Sequence, residues 1–445
     1  DADDILIKPD LTGIGMLDFD QAELIYQRGY EATMALREHL APLALDDMGW
    51  AQYSAGRAMQ PAPLPVIDYI TIDNNSPVSD QVIRARIRQP LGSPLERDML
   101  RADIAAVYAL DYWEIIDYRL DSDDRGNGLL ISARAKTWGE DTLKLGLNLI
   151  TNVNGSSKVN AGGSYLRKGV TDLGGELFAR AQFGDTVIMD VEFYHPLDLR
   201  SRFFVVPYVG YRDDEVVSIG PELDVQDGTL GTWRVRRLQA EVAAGINLFD
   251  STQARLGLLR NAGEYRGDIE IGNRLPDGEF HEGAVFGALR FDRLANAYFP
   301  TKGSFFYADY QAHRRDLGAD RNFERWQAVG QVALSFGADK RNTVIATART
   351  GQTIQASNEP QNYFQLGGLF NLSGAGENLL SGRQMAFAMA QYQRRLSANS
   401  VLPVKMPTYV GASIEGGQVW SRRSQVGVDD LIGAGSIYLA MDSPI

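Results

Sequence analysis

The chain contains no cysteine, so disulfides, thiolate nucleophiles and cysteine-ligated metals are excluded. Histidine is nearly as scarce: only His39, His195, His281 and His313 are present. None falls in an H-x-x-H or H-E-x-x-H pattern, which argues against a zinc site or a Ser-His-Asp hydrolase. There is no excess of positive charge either. With 44 Lys and Arg against 57 Asp and Glu, the net charge is -13, and so acidic a chain lacks the footprint of a nucleic-acid binder. Long apolar runs are also missing. The longest, Phe203 to Val209, is interrupted by Pro207 and falls far short of the roughly 20 residues a spanning helix needs. Helical spans are thereby excluded, but not a membrane β-barrel, whose strands merely alternate.

What is present is length, glycine and pattern. The 445 residues exceed one ordinary compact domain, and both ends read as cut, without a leading Met and with a stop just after a strand-like run. Residues 1–63 read as helical. Asp18 or Asp20 is placed to cap a helix running to about Leu40, with Ile25, Ala32, Leu36 and Leu40 on its buried face. A second helix is expected over Asp46 to Met59, ending in the stiff run Gln60-Pro-Ala-Pro-Leu-Pro65. Residues 64–138 read as a small βααββ unit. Its strands are expected at Val66 to Asp73, Trp113 to Asp121 and Leu129 to Thr137. One helix is opened by Ser79 over Val82 to Gln89, and a second is capped by the box Ser93-Pro-Leu-Glu96 and runs to Tyr108.

From residue 139 to 445 the pattern changes to long alternating strands. Leu143, Leu145, Leu147 and Leu149 alternate with polar or small neighbours. So do Leu238, Ala240, Val242, Ala244 and Ile246, and later Val410, Ala412 and Ile414. About fourteen such strands can be counted, many of roughly 9 to 12 residues, the length a tilted strand needs to cross a bilayer. The fold class expected is therefore mostly β, a transmembrane antiparallel β-barrel. Long connections at Asp214 to Gly231, Asp268 to Glu279 and Gln352 to Arg383 alternate with shorter ones. In bacterial barrels long loops are extracellular, which puts the preceding small domain in the periplasm.

Three stretches resemble known families. Ile5 to Gly29, Ile-Leu-Ile-Lys-Pro-Asp-Leu followed by Asp-Phe-Asp-Gln-Ala-Glu-Leu-Ile-Tyr-Gln-Arg-Gly, looks like the closing segment of bacterial patatin-like phospholipases. The βααββ unit, with Val78-Ser-Asp-Gln-Val-Ile and Arg88-Gln-Pro-Leu-Gly-Ser-Pro-Leu95, looks like one polypeptide-transport-associated (POTRA) domain. Leu289-Arg-Phe-Asp-Arg-Leu-Ala-Asn-Ala-Tyr-Phe-Pro-Thr-Lys-Gly303 is similar to the BamA/TamA-type surface-antigen barrels, where such a turn, here Asp292, Phe299, Pro300 and Gly303, leads into a wall strand. In that order the three resemble the type Vd autotransporters, the patatin-like outer-membrane lipases.

The resemblance implies sixteen strands, two of them beyond Ile445, in the outer membrane of a diderm bacterium. It also implies partners: outer-membrane lipid, the chain's own patatin passenger, and the barrel assembly machinery for insertion. No cofactor is implied. The family's inward-folded loop carries an arginine that meets an acid on the wall. The matching positions here are Leu372-Ser373-Gly374-Ala375 and Glu415-Gly416-Gly417, so serine replaces the arginine and one hydrogen bond at most, Ser373 to Glu415, is expected. The alternative is a plain loop serine and a solvated lumen carboxylate.

A patatin dyad needs G-x-S-x-G and Asp-Gly. No G-x-S-x-G occurs, and Asp227-Gly228 and Asp277-Gly278 fall in expected loops, so these residues carry no catalytic or metal site and the dyad would lie upstream. The carboxylates Asp190, Glu241, Asp309 and Glu415 read as scattered lumen charges, and Asp123-Asp124 as a turn rather than a calcium loop. The function expected is a translocator or anchor that displays its own lipase. The alternative is an insertase or two-partner transporter for a separate client.

Overall fold

The computed structural model describes residues 5–14, 21–57, 64–151, 157–219, 230–249, 251–267, 277–355, 359–396, 407–422, 426–427 and 429–441. By internal contact the chain forms two units, residues 1–66 and 67–445. Among the described residues no helix is long and apolar enough to cross a membrane.

The first unit holds α1 (Ala22–Ala35), α2 (Arg37–Leu40) and α3 (Asp47–Arg57). The single helix expected to reach Leu40 is broken at Leu36, whose φ of -99° and ψ of 12° end the α1 ladder. Ile25, Ala32, Leu36 and Leu40 are only half-buried, and no α1 residue is buried. Helix continuity comes mainly from packing an apolar face, so with this face half-open the break costs little. Asp18, Asp20 and Met59 lie outside the described residues.

The second unit opens with an α+β segment: β1 (Val66–Ile67), β2 (Tyr69–Asn74), α4 (Asp80–Arg84), β3 (Ser93–Pro94), α5 (Arg97–Tyr108), β4 (Trp113–Asp123) and β5 (Gly126–Ala135). The sheet order is β2-β5-β4, parallel then antiparallel. Leu129, Ile131 and Ala133 of β5 are fully buried, as are Val82 and Ile83 of α4 and Leu100 and Val107 of α5. Ser79 caps α4 as expected, its hydroxyl accepting from Gln81 N–H, but α4 ends at Arg84 rather than Gln89. The box at Ser93 does not cap α5. Ser93 and Pro94 are extended, α5 starts at Arg97, and the Gln89 side chain takes the Glu96 N–H at 2.9 Å.

The remainder is one fourteen-stranded antiparallel sheet. Its strands are β6 (Asp141–Thr151), β7 (Ser157–Arg167), β8 (Glu176–Gly184), β9 (Val187–Pro196), β10 (Phe203–Ile219), β11 (Leu230–Leu248), β12 (Thr252–Gly267), β13 (Gly278–Asp292), β14 (Lys302–His313), β15 (Phe323–Phe336) and β16 (Asn342–Ile354). They are followed by β19 (Gln384–Arg395), β20 (Thr408–Trp420) and β21 (Ile432–Met441). Between β16 and β19, the short strands β17 (Phe364–Leu366) and β18 (Leu380–Gly382) pair with each other.

Neighbours follow chain order throughout, and among the described residues no pairing joins β6 to β21. β10 and β11 pair as far as Ile219 and Leu230, so much of the long loop expected at 214 to 231 is strand. One face is apolar and exposed: Leu143, Leu145, Leu147 and Leu149 are 64 to 74% exposed. The other face is closed inward by Asp190, Asn261, Glu282, Asp309, Ser413 and Glu415, all buried. This is a barrel wall with a polar interior.

Candidate functional site: an inward loop on the barrel wall

The connection from β16 to β19 folds into the lumen rather than away from it. Phe364, Leu366 and Leu372 of the loop pack in one buried cluster with Met385, Phe387 and Met389 of β19. The loop tip is a tight turn in which Phe370 and Leu372 take left-handed φ values of 59° and 79°. Such values are unfavourable for non-glycine residues and persist only where surroundings enforce them.

The enforcing group is Glu415, on the inward register of β20. Its Oε2 accepts from the Leu372 and Ser373 N–H groups at 2.8 and 2.7 Å, and its Oε1 accepts from the Ser373 hydroxyl at 2.6 Å and the Ser413 hydroxyl at 2.6 Å. The Ser373 hydroxyl in turn accepts from Phe370 N–H at 3.1 Å. A carboxylate with four donors is well satisfied in a buried site. The single hydrogen bond expected between Ser373 and Glu415 is therefore three between turn and carboxylate. A turn exposes backbone amides whatever its side chains are, and these take the place of a guanidinium.

Gly374 stands against β21, where an added Cβ would lie 3.5 Å from that of Ala434. At Gly417 an added Cβ would meet Ala386 O at 3.0 Å and Leu366 Cδ1 at 3.2 Å, so the loop strand β17 sits directly on the wall there. Sequence reasoning missed Arg349. From β16 it donates to Asn371 Oδ1 at 2.6 Å and lies 5.7 Å from the centre of the Phe387 ring. Its signal was an arginine at an inward position of an alternating strand, facing the loop. Lys158 of β7 adds a longer contact to Glu377 at 3.8 Å.

At the other end of the barrel, the turn from β13 to β14 also reaches inward. Asp292 ties its start, accepting from Leu294 N–H at 3.2 Å and Arg290 at 2.9 Å. Phe299 stacks on Tyr409 of β20 with ring centres 4.6 Å apart, and Pro300 is buried with its carbonyl facing Gln393 Nε2 at 3.4 Å. Gly303 takes φ 105°, and an added Cβ would lie 2.0 Å from Arg293 O, so only glycine fits. Phe299 and Pro300 of this turn thus pack on the inner face of β19 and β20, while Gly303 leads into β14.

The α+β segment meets the wall at this same end. Arg86 donates to Leu199 O, and Arg200 to Ala85 O at 3.0 Å. Tyr112 OH donates to Gly174 O at 2.7 Å, and Gly174, at φ 87°, has no room for a Cβ beside that ring. Asp111 bridges Lys136 at 2.6 Å and Lys168 at 2.9 Å. Asp190, Glu241 and Asp309 stand apart, with Asp190 paired to Arg180 and Asp309 accepting from Gln327 and Gln311. Among the described residues no group of three or more metal-ligating side chains is arranged to hold an ion.

Residues 277–378, from the start of β13 through the inward turn, match the OMP85 superfamily. Among solved structures, the chain resembles BamA from Haemophilus ducreyi lacking POTRA domains 1–3, at 11% identity and TM-score 0.64, covering 86% of this chain and 79% of that one. It also resembles CdiB from Acinetobacter baumannii, at 12% identity and TM-score 0.55 over 86% and 68% of the two chains. CdiB from Escherichia coli gives 12% and 0.55 over 85% and 70%. At such identities the likeness is one of fold. No curated protein matches the chain in sequence.

Proposed function

We propose that the chain is a polypeptide-translocating barrel of the bacterial outer membrane whose client is its own N-terminal passenger, a patatin-like phospholipase ending near Leu40. The observation that carries the reading is the inward loop held by Glu415. A lumen already occupied by a tethered loop suits a regulated path for a chain better than an open diffusion pore. The exposed apolar face suits lipid, and strand pairing across the wall satisfies the backbone there.

The segment from β1 to β5 is read as a periplasmic POTRA domain at residues 64–138. Its edge strands β2 and β4 are available to an extended client by strand addition. The loops at the opposite end are read as extracellular. The patatin reading rests on the resemblance of residues 5 to 29. A second reading draws on β6 and β21, which do not pair with each other among the described residues: an insertase or two-partner transporter could pair a separate client there.

Protease shaving separates them. Added to whole cells expressing the full protein, protease should remove the passenger and leave the α+β segment intact. A passenger that survives on intact cells and is cut only after lysis would overturn surface display.

A further inference from the structure

A second polar feature lies in the lumen, away from Glu415. A cavity of about 420 Å³ is lined by inward side chains of the wall together with Asn362 of the inward loop. Its charged lining comprises four arginines, Arg180, Arg212, Arg237 and Arg325, against two acids, Asp190 and Glu282. In a chain with a net charge of -13 this is a locally positive chamber.

The arginines differ in what they hold. Arg180 pairs with Asp190, and Arg212 with Asp214 at 3.3 Å. Arg237 and Arg325 make no ion pair or hydrogen bond among the described residues. Arg325 only lies over the Phe364 ring, 4.7 Å from its centre. Two more lining atoms lack partners, Asn261 Oδ1 and His313 Nδ1, on side chains 3% and 1% exposed. The Asn261 amide nitrogen is committed to Glu282 at 2.8 Å, so what remains of Asn261 is an acceptor without a donor.

These vacancies specify a ligand. Two unpaired guanidiniums call for an anionic acceptor, and Asn261 Oδ1 calls for an N–H or O–H donor. A free carboxylate answers only the first demand, whereas hydrogen phosphate, which keeps a P–OH donor at neutral pH, is the simple-ion competitor that the test must separate. A peptide with an acidic side chain answers both, offering carboxylate to the arginines and backbone N–H to Asn261.

We propose that this cavity is a binding site for an acidic polypeptide segment, its carboxylate held by Arg237 and Arg325 and its backbone N–H by Asn261. The proposal deepens the function above by naming the chemistry of the client, and it rests on that reading for the client being a polypeptide.

The test uses the full chain in nanodiscs, with a fluorescent Asp/Glu-rich peptide, its Asn/Gln counterpart and inorganic phosphate as probes, read by anisotropy. The acidic peptide should bind more tightly than the neutral one and weaken about tenfold in Arg237→Gln/Arg325→Gln. Asn261→Leu should weaken the peptide by removing the acceptor for its backbone N–H. Equal affinity of the acidic peptide for wild type and the Gln pair would overturn the site. So would phosphate displacing the peptide at comparable concentration, which would mark a simple ion site. Should the Gln pair not fold, the comparison of the two peptides on wild type decides, equal affinities overturning the proposal. Protease shaving of the passenger is read independently, so failure of this site is distinguishable from failure of the translocator reading.

Discussion

At the scale of single residues, the loop rests on one carboxylate. Glu415→Ala would leave two backbone amides and two hydroxyls without their buried acceptor, while Ser373→Ala removes one of those donors and the acceptor of Phe370 N–H. A double-mutant cycle on this pair should give a coupling of about 1–2 kcal/mol. Glu415→Ala alone should cost more than Ser373→Ala and open residues 367 to 378 to protease. A coupling near zero, read from heat-modified mobility against denaturant, would show that turn and carboxylate act independently. The pairing of these two positions was expected from the family resemblance, which matches Ser373 to the loop residue and Glu415 to the wall acid it meets. The backbone donors were not, since nothing in Leu-Ser-Gly-Ala states that Leu372 adopts a left-handed φ and turns its amide inward.

At the scale of elements, the joint between the α+β segment and the wall turns on Asp111. Partial burial pushes its carboxyl up, but the Lys136 and Lys168 ammoniums outweigh this and hold it below its ordinary 3.8. A depressed folded-state pKa contributes stability that is fully present above the unfolded value and is lost as pH falls through the folded one. The joint should therefore hold at neutral pH and loosen only below about pH 3.8. Asp111→Asn should loosen it at neutral pH and lose its difference from wild type in acid, where the wild-type carboxyl is itself protonated, as read by hydrogen exchange of Gly174 and its neighbours. Exchange in the variant that still tracked acid as wild type does would assign the pH response elsewhere.

The same segment shows where local signals fail. Ser93-Pro-Leu-Glu96 has the form of a helix start, but Gln89, which is 1% exposed, reaches the Glu96 amide and delays α5 to Arg97. A non-local contact outbid a local pattern. Ser79 kept its capping role because no such competitor reaches Gln81 N–H.

At the scale of the molecule, the wall was legible because its environment is two-sided. Where one face meets lipid and the other water, every second residue is selected, and Val410, Ala412 and Ile414 alternate against Ser413 and Glu415 in both sequence and structure. Ile414, 78% exposed on the outer face, discriminates the environment. In a bilayer Ile414→Arg should destabilise the barrel by about 2–4 kcal/mol if it lies near the midplane. In water the same change would be close to neutral. Folding into vesicles compared with folding into detergent measures the difference, and equal yields in both would argue against a lipid-facing position. The resemblance pointed to the long loop as the inward one, but the inward reach of the β13–β14 turn was not legible, because an inward and an outward connection have the same composition.

β20 receives both lumen fillers, the β13–β14 turn through Tyr409 and the long loop through Glu415. The two lumen fillers, one towards each end, thus share β20 as a stave, and β19 beside it also holds the loop through Phe387 and the turn through Gln393. A displacement of that stave slackens both fillers in one movement, whereas a shift of a stave on the far side disturbs neither fastening directly. The barrel is mechanically lopsided, with the fastenings of both fillers gathered on β19 and β20.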